Sequence, residues 1–232
     1  MIKENLREVR ANIERALLNR APNIPQADVK LVAVTKNHPV EIMQQAIDLG
    51  VTDIGENRIQ EALDKFSTLE RNVVKHLIGH LQTNKVKPTV KNFDLIHSVD
   101  SQRLALALDR AAGSVNKIQD ILIQVNAARE ETKSGVDPDE LDQLLETVDQ
   151  CGNLKLRGLM MIAPNFDDVE QCRPLFNQMY KTFKRQRELR PTIEILSMGM
   201  THDYKIAIEE GANMIRVGTA IFGQRDYRWE EK

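Results

Sequence analysis

The chain has 232 residues, the length of one ordinary α/β barrel, and 41% apolar residues are enough for a sizeable core. A formal net charge of −2 lacks the basic excess of a dedicated nucleic-acid binder, so no nucleic-acid partner is expected. No window approaches the roughly 18 apolar residues of a membrane span, and the start, Met1 to Asn5, has no apolar signal core, so the expected location is cytoplasmic and no membrane partner is expected.

The first twenty residues have helical spacing of Ile2, Leu6, Val9, Ile13, Ala16 and Leu17, and Pro22 and Pro25 end that helix. Lys30 to Lys36 is a short β-branched apolar run and reads as a buried strand. Pro39 to Leu49 is helical and stops at Gly50. A second strand covers Asp53 to Asn57, with a helix over Ile59 to Leu69. His76 to Gly79 is the third strand, followed by a weaker helix from Thr83 to Asn92 that Pro88 should interrupt. Leu95 to Val99 is the fourth strand, and Ser101 can cap the helix that runs to Ala112. Ile121 to Val125 is the fifth, and Asp137-Pro138 should open the next helix with proline in its first turn. Leu156 to Ile162 is the sixth, before a long helix from Val169 to Leu189. Ile193 to Met198 is the seventh, before a helix from Tyr204 to Glu210 that ends at Gly211. Met214 to Val217 is the eighth.

Eight strand-like runs separated by helices predict a parallel sheet, and eight units favour closure. The expected fold is a (β/α)8 TIM barrel with an extra N-terminal helix, an open doubly wound sheet being the competing topology. No linker or composition shift divides residues 1–232, so a single domain is expected.

In such a barrel the functional residues sit at the C-terminal ends of the strands. Those ends carry Lys36, Asn57, Gly79-His80, Asp100, Asn126, Ala163 to Asn165, Ser197-Met198-Gly199, and Arg216 with Gly218-Thr219. A lysine after an apolar run can lose its proton by desolvation, as Schiff-base chemistry requires, although a solvated strand end explains the same spacing. Glycine-rich loops after the last two strands suit a phosphate, and they also suit simple turns. Arg216, inside a strand, needs a ligand or a partner such as Glu56. His76 and His80 would lie about 13 Å apart on a strand at about 3.3 Å per residue, so they do not suggest a metal. Cys151 and Cys172 form no C-x-x-C pair and suggest neither a disulfide framework nor zinc. Asp167-Asp168 reads as a helix-start pair, and Lys181 to Arg190 as a solvated basic face.

Seven ordered segments carry a family resemblance: Ala33 to Lys36; Gly55 to Asn57 with Gln60-Glu61; His76 to Gly79 with Leu81-Gln82 and Asn84-Lys85; Lys133 to Gly135; Arg157 to Met160; Leu196 to Met200; and Ile215 to Thr219 with Ile221 to Gly223. Together they resemble the pyridoxal phosphate homeostasis protein family. The resemblance implies a barrel similar to the N-terminal barrel of alanine racemase, with pyridoxal 5'-phosphate (PLP) held as an internal aldimine on Lys36. It places Asn57 beside the ring, Ser197, Gly199, Gly218 and Thr219 around the phosphate, and Arg216 facing the pyridine nitrogen. Three departures stand out. Arg58 replaces a frequent tyrosine, His80 a small residue or proline, and Thr201-His202 a serine and a variable residue.

An arginine cannot accept a proton, so Arg216 opposite the ring nitrogen would keep the cofactor a weak electron sink. Racemisation needs an acid or base on each face of the substrate, which alanine racemases supply partly through a tyrosine from a further β-domain. The tyrosines here are Tyr180, Tyr204 and Tyr227, and no second domain is expected to present them. The resemblance therefore implies PLP homeostasis and supply, with apo-PLP enzymes as recipients and no substantial turnover. A PLP-dependent amino-acid racemase is the alternative, and a cofactor-sensing interaction protein a third. No apolar stripe calls for a dimer, so a monomer is expected.

Overall fold

Alternation of apolar and polar residues at helical spacing makes α1 (Ile2–Leu18), which buries Leu6, Val9, Ile13 and Ala16 on one face. The structure, a computed structural model, describes residues 1–130 and 133–224. Beyond α1, eight short strands follow: β1 (Lys30–Val34), β2 (Asp53–Glu56), β3 (Val74–Leu77), β4 (Leu95–Val99), β5 (Gln119–Gln124), β6 (Leu154–Met160), β7 (Ile195–Ser197) and β8 (Met214–Val217). Each pairs in parallel with the next, and β8 pairs with β1 in the register Met214↔Lys30 and Arg216↔Val32, which closes the barrel. The chain is a (β/α)8 TIM barrel with an N-terminal helix.

The crossovers are α2 (Val40–Asp48), α3 (Ile59–Phe66), α4 (Val86–Asn92), α5 (Gln102–Gly113), α6 (Leu141–Asp149), α7 (Arg173–Leu189) and α8 (Tyr204–Glu209), with a single turn α9 (Thr219–Phe222) after β8. The main core lies between strands and helices. A smaller cluster of Val32, Leu95, Leu122, Met160 and Met214 fills the barrel itself. Arg20 ties the end of α1 to α8 and the turn before β8, donating to the carbonyls of Ile208 at 2.9 Å and Ala212 at 2.7 Å.

Several boundaries differ from the expected ones. β3 starts at Val74 and β5 at Gln119, because ladder partners (Asp53↔Val74, Gln119↔Leu154) extend the strands across Lys75 and across Gln119-Asp120, polar residues at which a hydrophobic run stops. Pro88 does not interrupt α4. It sits in the first turn, where its missing N–H costs nothing. Asp137-Pro138 does not open a helix either: Asp137 accepts from the Asp139 amide at 2.9 Å in a turn, and α6 starts at Leu141.

Candidate functional site

Lys36 lies just beyond β1. Val32 and Val34 alternate with Ala33 on the strand, and Thr35 extends the ladder, its amide donating to the Gly55 carbonyl at 3.1 Å. The Thr35 hydroxyl turns outward and donates to Glu56 Oε1 at 2.6 Å. The alternation therefore sends the half-buried Lys36 toward the barrel mouth. Its neighbours are clamped. Lys65 Nζ on α3 donates to the Thr35 carbonyl at 2.8 Å, to Glu56 at 2.9 Å and to Glu61 at 2.6 Å. Glu61 also accepts from the Asn37 amide at 2.5 Å, and Asn37 adopts a left-handed φ of 62°. Glu56 is fully buried and its Oε2 has no hydrogen-bond partner among the described residues. Burial raises its carboxyl above the ordinary 4.5, against the pull of Lys65 and Thr35.

Arg216 projects into the barrel from β8 and is almost completely buried. Its Nη1 donates to Ser197 Oγ at 2.6 Å and its Nη2 to the Met161 carbonyl at 2.9 Å. Both acceptors are neutral. Burial brings its pKa down to about 10, with Asp203 acting in the opposite sense. The alternative reading, an ion pair between Arg216 and Glu56, does not form, because Glu56 faces the helix layer and Lys65.

The two glycine loops meet beside this arginine. Gly199 has a φ of +96°, and a Cβ there would sit 2.7 Å from Ala207 Cβ. Its carbonyl accepts from the Arg216 amide at 3.0 Å. Asp203 fixes the same loop by accepting from the Met200 amide at 2.5 Å. Gly218 packs on Val34, and a Cβ would lie 3.3 Å from the Val34 carbonyl oxygen. Thr201 Oγ1 accepts from the Ala220 amide at 3.4 Å, which joins the loops after β7 and β8. Thr219 is exposed at the rim. Asn57, half-buried at the end of β2, lies against Gly79, whose missing Cβ would fall 2.3 Å from the Asn57 carbonyl oxygen.

Lys36, Asn57, Ser197, Gly199, Arg216, Gly218 and Thr219 thus all sit at the C-terminal rim of a closed barrel. His76 and His80 part company: His76 is buried inside the barrel, whereas His80 is exposed beside Ser134. Arg58 and His202 are exposed. Asp168 caps as expected, accepting from the Glu170 amide at 3.1 Å. The basic run is partly spent on α6, with Arg185 on Asp142 and Arg190 on Asp149. Sequence reading overlooked Lys65, whose clue was its position four residues after Glu61 on an apolar helix face. Tyr227 lies outside the described residues.

The sequence matches the alanine racemase N-terminal domain family over residues 5–226. A pyridoxal phosphate homeostasis protein of Pasteurella multocida is 38% identical over 231 residues, covering 97% of this chain and 98% of that protein. The chain belongs to the pyridoxal phosphate homeostasis protein family. Another family member, from Aquifex aeolicus, is 42% identical over 200 residues, 85% of this chain and 88% of that one. Among solved structures, PipY of Synechococcus elongatus with PLP bound superposes with a TM-score of 0.83 at 36% identity, covering 96% of this chain and all of that one. An alanine racemase of Clostridium difficile shares the barrel alone, with a TM-score of 0.75 at 17% identity over 58% of its own length.

Proposed function

We propose that this protein binds PLP covalently through Lys36, as a Schiff base, and serves PLP homeostasis by holding the cofactor and supplying it to apo-PLP enzymes. Arg216 carries the reading. It is a buried cation at the barrel mouth whose hydrogen bonds among the described residues go to neutral acceptors, and burying such a charge is costly unless a ligand acceptor shares it. A pyridine nitrogen is an acceptor of that kind. Gly199, Gly218 and Thr219 surround the phosphate position beside Ser197, and Asn57 flanks the ring. When bound, PLP supplies an electrophilic aldehyde. The chain's part is to hold an amine at a clamped turn and to keep the ring nitrogen without a proton.

The homeostasis reading gains from the tyrosines. Tyr204 is buried against Gly199, with Asn12 of α1 near its hydroxyl, and Tyr180 packs on Gly211 in the helix layer. Neither stands at the rim as a second base. The protein is proposed to act as a monomer in the cytoplasm. No helix among the described residues is long and apolar enough to cross a membrane.

The test is spectroscopic. Purified protein incubated with PLP should show the visible band of a protein-bound Schiff base, and Lys36→Ala should lose it. A colourless wild-type protein would sink the proposal. Amino-acid α-deuterium wash-in at roughly 1 per second or faster would replace it with a racemase.

A further inference from the structure

A string of polar side chains crosses the apolar interior of the barrel. Asp53 starts it at the base of β2, where its Oδ2 accepts from Thr52 Oγ1 at 2.6 Å and Lys30 Nζ at 3.3 Å. Asp53 Oδ1 lies 2.8 Å from His76 Nε2 on β3. His76 Nδ1 lies 2.9 Å from His97 Nε2 on β4, and the two rings meet edge to face at 70°. His97 Nδ1 lies 3.2 Å from Ser197 Oγ on β7, and Ser197 Oγ accepts from Arg216 at 2.6 Å on β8. Asp53 and His76 are each 1% exposed, and His97 and Ser197 are fully buried.

Donor and acceptor counting gives this string a direction. An anionic Asp53 can only accept, so His76 carries a proton on Nε2. A neutral His76 then offers Nδ1 as an acceptor, which requires the proton of His97 on Nε2. His97 Nδ1 is left to accept, and the Ser197 hydroxyl must donate to it while its oxygen takes the Arg216 proton. With His76 neutral, this arrangement satisfies every atom in the string. Burial, and then the Arg216 charge, hold His97 well below the ordinary 6.5, in keeping with a neutral ring. Asp53 lies below the ordinary 3.8 because its hydrogen bonds from His76 and Thr52 outweigh burial.

We propose that Asp53, His76 and His97 are positioning residues, a one-way hydrogen-bond relay from the barrel base that orients the Ser197 hydroxyl and so fixes the Arg216 guanidinium at the cofactor site. Each link polarises the next, so the negative end at Asp53 makes Ser197 Oγ a stronger acceptor for Arg216. A fully buried polar string in an otherwise apolar barrel is expensive unless complete, so a packing role would be served better by hydrocarbon. The relay occupies the Ser197 proton, so that hydroxyl is not a donor for an anion at the rim. The inference rests on the PLP reading only for the identity of the ligand beyond Arg216.

Two measurements test it. Long-range ¹H–¹⁵N correlation on ligand-free protein should show both His76 and His97 protonated on Nε2, and there are only 5 histidines to assign. Finding the His97 proton on Nδ1 overturns the relay whether or not PLP binds. The second is PLP affinity in His97→Gln and His97→Leu. Glutamine keeps one donor and one acceptor; leucine keeps neither. The relay predicts near-normal binding for His97→Gln and about tenfold weaker binding for His97→Leu, matching loss of roughly one charge-assisted hydrogen bond. Equal affinity of a folded His97→Leu with wild type overturns it. Should His97→Leu fail to fold, Asp53→Asn provides the same test from the other end: loss of the His97 Nε2–H preference supports the relay, and an unchanged tautomer with unchanged affinity overturns it.

Discussion

The ammonium of Lys65 donates to the backbone carbonyl of Thr35 at 2.8 Å, one residue before the lysine proposed to hold the cofactor. The same ammonium bridges Glu56 and Glu61, and Glu61 takes the amide of Asn37 on the other side. A buried ion cluster outside the barrel therefore sets the backbone on both flanks of Lys36. Removing its cation leaves Glu56 buried and unpaired. Lys65→Met should cost about 3–5 kcal/mol, the range for breaking a buried pair by deleting one partner. Urea unfolding measures the loss. A change under about 1 kcal/mol would mean that the cluster relaxes into water.

Glu56 predicts a pH dependence whose sign follows from its environment. Burial raises its folded carboxyl above the ordinary 4.5. A raised folded pKa means that the folded state holds the proton more tightly. The stabilisation is complete below 4.5 and is lost as pH rises through the folded value. Glu56→Gln resembles the protonated form at every pH. Its stability relative to wild type should climb from pH 4.5 upward and level off above the folded pKa. Denaturation curves at stepped pH give this difference, and a flat one contradicts the raised pKa.

The barrel was legible because β-branched runs alternate with amphipathic stretches, and β4 and β8 fall where hydrophobicity puts them. Strand starts such as Val74 and Gln119 were not, because ladder partners far away in sequence select them. The rim residues were legible as strand ends. The contacts that hold them were not. His97 reads as an ordinary residue within a buried strand, and only closure of the barrel brings it within 3.2 Å of Ser197, a hundred residues on. Lys65 was hidden in the same way: its helix repeat is visible, but the Thr35 carbonyl it reaches is a property of the fold.

Gly79 offers a steric test of the rim. A Cβ at this position would fall 2.3 Å from the Asn57 carbonyl oxygen and 2.8 Å from Asn57 Cα, both backbone atoms that cannot swing aside. Gly79→Ala should destabilise by about 1–3 kcal/mol through overpacking. It should also push Asn57 away from the mouth, so PLP affinity should drop in protein that remains folded. Normal affinity alongside lowered stability would show that Asn57 does not contact the cofactor.

The two cysteines should behave as inert core atoms. Cys172 is 2% exposed, and burial with Asp203 nearby pushes its thiol to about 11. Cys151 is 8% exposed and its thiol is also raised, by burial and then Asp109. Thiolate is the reactive form, so raised pKa and burial both slow attack at neutral pH. A thiol reagent such as Ellman's should label neither cysteine in the native protein at pH 7.5 over minutes, and both after unfolding in guanidinium. Fast labelling of Cys172 would show that the segment before α7 opens readily. Labelling rates should also fall when PLP is added, since a ligand that binds only the folded state suppresses opening by its occupancy. Rates that ignore PLP would place that opening outside the cooperative unit that carries the site.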